Sequence, residues 1–425
     1  MKSFTLFALL LSSSVAMSGD WPGWRGPHGN GSADGAGYPV EWSAGKNLIW
    51  KHELGGRGAS SPIVAGDRIV VTTTVDGQNT VACLGMDGQR QWTKTLGAAV
   101  DGKPGKDGTG ANPSAATDGE SVFVYFKSGE FGCFSLGGDL KWQQNLQDKF
   151  GEDTLWWDLG TSPVLTKDAV VVACMHSGPS YLAAFAKHDG TLLWKQDRNL
   201  GAPEEAAQSY ATPVVVDDGG REEIVVLGAD HVTTHDAVNG KEIWRLGGLN
   251  PTNHKYFRSI ASATVADGIV VAPYARGKSL TAIRMGGEGD VTATHILWAN
   301  QATSADVPTP AIANGRVFNC RDDEGGDLRG TIDCLDLLTG RSIWSGQLPK
   351  NRHNYRSSPI VADGRLYVTR QDGTVFVLDA AGSEYKVLAE NSLAEEHTVA
   401  TPVFVDGKIL LRTDSHVYLI ANPAP

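Results

Sequence analysis

A hydroxyl or amide side chain followed by proline or alanine recurs along this chain at intervals of about fifty residues, and a period of that length leaves few architectures open. The register reads Ser61-Pro62, Asn112-Pro113, Ser162-Pro163, Thr212-Pro213, Ser262-Ala263, Thr309-Pro310, Ser358-Pro359 and Thr401-Pro402, eight copies with Asn112 and Ala263 as the departures. Each continues with a β-branched pair, an Asp/Gly turn and a second apolar run, as from Pro359 to Val368. That pattern predicts two short strands on a tight turn. A third strand follows, such as Thr374 to Asp379. A fourth is announced by Gly-x-x-x-Trp, at Gly88 to Trp92, Gly138 to Trp142, Gly190 to Trp194, Gly240 to Trp244 and Gly340 to Trp344. Four antiparallel strands make one propeller blade.

Unit five keeps Trp298 behind an insertion that starts at Gly286, and unit seven has Leu388 where tryptophan is expected. Unit eight stops at Ile420 after its third strand, while Asn47-Leu48-Ile49-Trp50 reads as a fourth strand without a unit of its own. Pairing the two closes the ring, whereas a seven-membered ring would leave an open edge. The expected fold is all-β: an eight-bladed β-propeller of four-stranded antiparallel blades over residues 47–425, closed by an N-terminal strand that completes the last blade.

Seven of the twelve tryptophans, Trp50, Trp92, Trp142, Trp194, Trp244, Trp298 and Trp344, share one repeat position. A large ring there fills the wedge between blades and offers its indole N–H to a neighbouring carbonyl, a structural blade-docking role. Cys83, Cys133 and Cys334 align with Ala184 and Ala282, where a small apolar group suffices. An odd total of five cysteines leaves at least one thiol free, and whether Cys320 and Cys334 of unit six form a disulfide is open.

The hydroxyl-proline strand start, the Asp/Gly turn and the closing tryptophan resemble the repeats of pyrroloquinoline-quinone (PQQ) dehydrogenases. They equally resemble those of BamB, the outer-membrane assembly factor, which has the eight-bladed fold without a cofactor. The resemblance runs from Leu48 to Ile420 and implies a PQQ-like, quinoprotein-type propeller, while blade packing by itself says nothing about chemistry. The opening Trp21-Pro22-Gly23-Trp24-Arg25-Gly26-Pro27, with its Gly-rich continuation to Gly37, is similar to the N-terminal segment of exported bacterial PQQ-like repeat proteins.

Residues 1–18 carry Lys2, an apolar run from Phe4 to Leu11 and small residues at Ser14, Ala16 and Ser18, the pattern of a cleaved signal peptide. Residues 19–46 form a Gly-, Pro- and Trp-rich segment that either packs on the propeller or serves as a docking arm. The apolar run falls short of the roughly 20 residues of a transmembrane helix, and no cysteine stands at the cleavage site to take a lipid. A periplasmic or secreted monomer, not a lipoprotein, is expected. A formal charge of −11 without a basic run argues against nucleic acid.

By the resemblance, a quinone enzyme would hold PQQ over a tryptophan floor under a disulfide of adjacent cysteines, with a Glu/Asn/Asp set for Ca²⁺ beside an aspartate base. No two cysteines here are adjacent, and no Cys-x-x-Cys-His offers a haem. Asp158 and Asp306, each shortly before a repeat start, are the nearest carboxylates to such a role. Gly102-Lys103-Pro104-Gly105-Lys106 lacks the ending of a phosphate loop. The acidic stretch Arg321 to Asp327 reads as a solvated hairpin tip, not as a Ca²⁺ loop. On these grounds no catalytic residue, metal ligand or cofactor is assigned.

The segments that lead into the first strands converge on a propeller's central funnel. They carry Arg57, Trp156, Trp157, Asp158, Tyr210, His254, Tyr256, Arg258, Asp306, His353, Tyr355, Arg356 and His397. Such groups either stack on and hydrogen-bond a sugar, peptide or quinone-like ring or simply line a wet channel. The reading adopted is a non-catalytic binding or protein-assembly scaffold of the cell envelope, with an envelope protein partner or a small or glycan ligand in the funnel. A PQQ-dependent, Ca²⁺-assisted oxidoreductase and a carbohydrate-binding propeller are the alternatives.

Overall fold

The computed structural model describes residues 19–100, 108–322, 326–393 and 396–423. The expected signal peptide and the Gly102–Lys106 stretch lie outside them. Eight sheets follow one another in chain order, each built on four antiparallel strands. Blade one shows the pattern, with strands Ile63–Ala65, Arg68–Val75, Gln78–Gly85 and Arg90–Ala98 from first to last. In blades five, seven and eight, both residues of the Asp-Gly turn that joins the first two strands take left-handed backbone, as at Asp363 (φ 49°) and Gly364 (φ 70°), the twist a two-residue hairpin favours. The ring closes as expected: Leu48–Glu53 pairs antiparallel with His416–Ala421, Leu48 opposite Ile420, and becomes the last strand of blade eight.

The first strand of each blade is the edge that faces the axis, and an edge presents unpaired N–H groups. One hydrogen bond per blade meets this demand. The N–H of Ser61 donates to the Ser114 hydroxyl (2.8 Å), Ser114 to Ser162 (3.0 Å), Ser162 to Thr212 (3.0 Å) and Thr212 to Ser262 (2.9 Å). Ser262 donates to Thr309 (2.9 Å), Thr309 to Ser358 (2.9 Å), Ser358 to Thr401 (3.3 Å), and Thr401 returns to Ser61 (2.9 Å). The residue after the hydroxyl is proline in six of the eight blades, which has no N–H to leave orphaned. This circuit is the physical content of the repeat, and it corrects the register in blade two. The member there is Ser114, followed by Ala115. Asn112 stands two residues earlier and accepts from the Thr109 hydroxyl instead (2.6 Å).

The Gly-x-x-x-Trp motif acts between blades. Gly88 abuts the Trp50 ring of the preceding blade, and Gly138, Gly190, Gly240 and Gly340 likewise abut Trp92, Trp142, Trp194 and Trp298. The same five indoles donate to the carbonyls of Met86, Leu136, Lys187, Ala237 and Leu337 at 2.9–3.1 Å. Trp244 and Trp344 depart from the expected carbonyl bond: their indole nitrogens have no partner among the described residues. After Trp244, the blade-five insertion places Gly289–Asp290 as a parallel fifth strand on Trp244–Arg245, where the next blade's turn would stand. Opposite Trp344, the equivalent carbonyl, Ala380, is taken by Arg316 Nη1 (2.9 Å).

Cys83, Cys133 and Cys334 sit directly opposite Trp92, Trp142 and Trp344 across the third and fourth strands, which explains the small residue. Cys320 faces Ile332 while Cys334 faces Phe318, so no disulfide links them, and all five cysteines are buried and free.

The N-terminal segment packs as a strap under the end of the propeller where the first two strands turn. Trp21 exchanges backbone hydrogen bonds with Val64 in blade one (2.9 Å each), and the Pro22 carbonyl accepts from Thr117 in blade two (2.8 Å). Asn30 and Gly31 receive Ile312 and Val361 of blades six and seven (3.0 and 2.9 Å). Ser32–Ala33 then pairs parallel with Val361–Ala362, and Trp42 is fixed by the Asn391 carboxamide (2.8 Å).

The wedge makes a prediction. Gly340 and Gly364 have nearly equal positive φ (68° and 70°), but a Cβ on Gly340 would meet the Trp298 ring at 2.5 Å while one on Gly364 meets nothing. Each alanine replacement costs about 1–2 kcal/mol of backbone strain, and Gly340→Ala costs at least a further ~1 kcal/mol for overpacking. Urea denaturation of both variants should rank them so; equal losses would show that the glycine–tryptophan contact is not tight.

Candidate functional site

The loops that lead into the first strands enclose a cavity of about 400 Å³ on the propeller axis, within the range of small-ligand sites. Seven of the eight circuit hydroxyls line it, all but Thr309, together with Trp24 of the strap. Toward the opposite, open end stand Trp157, Asp158, Tyr210, Arg258, Ile260, Arg276, Val307, Arg356 and Val399. The strap floors the cavity. Arg25, beside Trp24, donates to the carbonyls of Pro310 (2.8 Å) and Pro359 (2.9 Å), the residues just after circuit members Thr309 and Ser358. A side chain on Gly31 would displace this guanidinium.

The rim is organised by ion pairs. Arg258, buried, meets both oxygens of Asp306 (3.2 and 3.1 Å) and Glu205 (3.3 Å). Asp322 accepts the N–H groups of Asp306 (2.8 Å) and Val307 (3.0 Å) and pairs with Arg356 (3.3 Å). Burial, with Asp306 close by, pushes the Asp322 carboxyl up to about 7. The expectation of a solvated hairpin tip is therefore corrected at Asp322, which is only 2% exposed because it carries the blade-six entry loop; residues 323–325 lie outside the described residues.

Asp158 spends its carboxylate on backbone, Oδ2 accepting from Thr109 and Gly110 (2.8 Å each) and Oδ1 from Leu159 (2.9 Å). Burial raises its pKa above the usual carboxylate value in spite of these donors. Trp157 is held edgewise by its indole N–H to Glu205 (3.0 Å) and its backbone N–H to the Tyr210 hydroxyl (3.1 Å), leaving the side chain 48% exposed.

Of the residues singled out in the sequence, Trp157, Asp158, Tyr210, Arg258 and Arg356 line the cavity; the rest do not. Asp306 stands behind Arg258. Arg57 pairs with Asp414 (2.7 Å), whose other oxygen meets His397 (3.0 Å). His254 stacks on Phe257 at 4.2 Å, Tyr256 is exposed under the Lys255 ammonium, and Trp156 is exposed beside the cavity. His353 lies in a separate shallow cleft with Asp372. Tyr355 is a core residue, 2% exposed against Phe376. Trp24, Arg25 and Arg276 were missed. Arg276 lies in a Tyr274-Ala275-Arg276-Gly277 hairpin whose Ala275 and Arg276 are both left-handed (φ 56° and 55°), a conformation that its residue types do not announce.

Asp158 and Asp306 are committed to backbone and to Arg258, and no group of three or more His, Cys, Asp or Glu among the described residues could hold a metal.

The Asp322 carboxyl titrates above the 3.8 of a free aspartate, so the folded protein holds more protons there than the unfolded chain does. Stability contributed by this site therefore falls as pH rises from the free value to about 7. Melting curves of the wild type and Asp322→Asn across that window should show the variant lacking this decline; parallel curves would contradict it.

A family model described as outer membrane protein assembly factor BamB matches residues 32–197, 160–318 and 285–422. A comparison with curated proteins finds no match. Among solved structures, BamB from Moraxella catarrhalis is similar over 88% of this chain and 98% of its own, at 15% identity and a TM-score of 0.61. Quinohemoprotein alcohol dehydrogenase from Comamonas testosteroni is similar over 96% of this chain and 81% of its own, at 12% identity and a TM-score of 0.66. A europium-containing methanol dehydrogenase gives 95% and 98%, at 11% identity and a TM-score of 0.68. Identities this low show a shared fold alone. With the family model spanning the propeller from Ser32 to the last blade, the chain belongs to the BamB family of PQQ-like repeat propellers.

Proposed function

We propose that this protein is an exported, non-catalytic binding scaffold that docks an envelope protein partner on the open end of its funnel. One observation carries the reading: apart from Arg276, the charged groups that line the funnel rim are spent on one another or on backbone, in the triad Glu205–Arg258–Asp306, the pair Asp322–Arg356 and the Asp158 cap, while aromatic side chains beside them stand exposed. Trp156, Trp157 and Tyr256 are 42%, 48% and 37% exposed. They flank one 3₁₀ turn, Glu204–Ala207, tied to both sides by Ala206 N–H to the Lys255 carbonyl (3.1 Å) and by Trp157 to Glu205. Rigid aromatics beside fixed charges suit recognition, where a few such residues carry most of the affinity.

Family membership supports a place in the envelope, and no helix among the described residues is long and apolar enough to cross a membrane. A photo-crosslinking side chain at position 156 or 256 should capture one defined envelope protein, and the same probe at Asn314 on the strap side should not. Alanine at Trp156 together with Tyr256 should weaken that complex by about 2 kcal/mol or more, roughly thirtyfold. The scaffold reading fails if no adduct forms while PQQ binds in a Ca²⁺-dependent manner by calorimetry and supports dye reduction with an alcohol.

A further inference from the structure

The circuit of hydroxyls has a second side. Each of the eight oxygens accepts a backbone N–H, and none donates its own hydrogen to any acceptor among the described residues. A hydroxyl polarised by an incoming N–H is a stronger donor in turn. Seven of these O–H groups line one blind cavity.

Positive charge is unbalanced both at the mouth of that cavity and behind its floor, where Arg25 stands next to the lining residue Trp24 without itself lining the cavity. Under the circuit, Arg25 is fully buried and bound to carbonyl oxygens, and its Nε has no partner. Burial lowers its pKa to about 9, and no carboxylate offsets it, so it is a cation at neutral pH. At the mouth, Arg276 lines the cavity and makes no ion pair or hydrogen bond among the described residues. Asp158, the single carboxylate in the lining, turns its oxygens to backbone N–H groups. An unmatched buried guanidinium is costly unless a counter-charge is near.

We infer that the axial cavity is a binding site for a small anionic molecule, which presents its oxyanion group to the circuit hydroxyls above Arg25 and meets Arg276 at the mouth. The volume exceeds that of a single inorganic ion and suits a carboxylate- or phosphate-bearing metabolite of modest size. Trp156 and Tyr256 do not line the cavity, so variants at those two positions test partner docking without removing a residue of this site.

Calorimetric titration of residues 19–425 at low ionic strength, with citrate and with inorganic phosphate in separate arms, tests this and tells a carboxylate ligand from a phosphate ligand. At least one should bind with a dissociation constant of about 1 mM or tighter and raise the melting temperature. Arg276→Gln, on an exposed hairpin, should weaken it about tenfold by removing one charge-assisted bond. Arg25→Met should weaken it as well; because that variant also loses the hydrogen bonds to Pro310 and Pro359, phosphate-soaked crystals of the wild type supply the second readout, with density expected on the axis. No heat with either anion, equal binding of the neutral polyol sorbitol, or density away from the axis overturns the inference.

Discussion

Eight backbone N–H groups face the axis of this propeller with no further strand to receive them, and the molecule meets them with eight side-chain hydroxyls joined in a circle. A buried N–H left without a partner costs about 1–3 kcal/mol, so the circle is a condition for burying the first strands at all. Serine and threonine fit because their short side chains reach the neighbouring blade from a fixed backbone position; proline next in line removes the donor that would follow. Since every member both gives and takes one bond, each blade's position is set by both neighbours, and the cavity inherits the circle's spare hydrogens.

Much of the fold could be read from residues because its determinants repeat. The hydroxyl-proline spacing, the glycine four residues before each tryptophan and the orphan strand at Leu48 are local marks of contacts made the same way in blade after blade. Reading failed where a blade uses a different residue for the same task. Ser114 carries no proline, so Asn112-Pro113 drew the register two residues off. Trp244 and Trp344 keep the tryptophan but lose its acceptor, to the Gly289–Asp290 insertion and to Arg316, neither of which the motif itself encodes.

The cavity was legible only on one side. Trp157, Arg258 and Arg356 could be proposed because each precedes a repeat start, a position tied to the axis by topology. Tyr355 occupies the same kind of position yet turns into the core against Phe376, since neighbouring residues in an extended segment face opposite ways. Trp24 and Arg25 precede the first blade, and the partners that place them are the carbonyls of Pro310 and Pro359, more than 280 residues away. No local pattern reports a contact of that separation.

The pairing of Leu48–Glu53 with His416–Ala421 also orders events in time. Closing a loop of that length carries a large entropic penalty before any contact rewards it, and folding slows as contacting residues grow farther apart along the chain. Seven blades can form from neighbouring hairpins as the chain emerges. The eighth, and the strap that floors the cavity, must wait for both ends. Until then the last blade's edge lacks its partner strand and Trp21 and Trp42 lack the contacts that bury them, the kind of open edge on which another chain can pair.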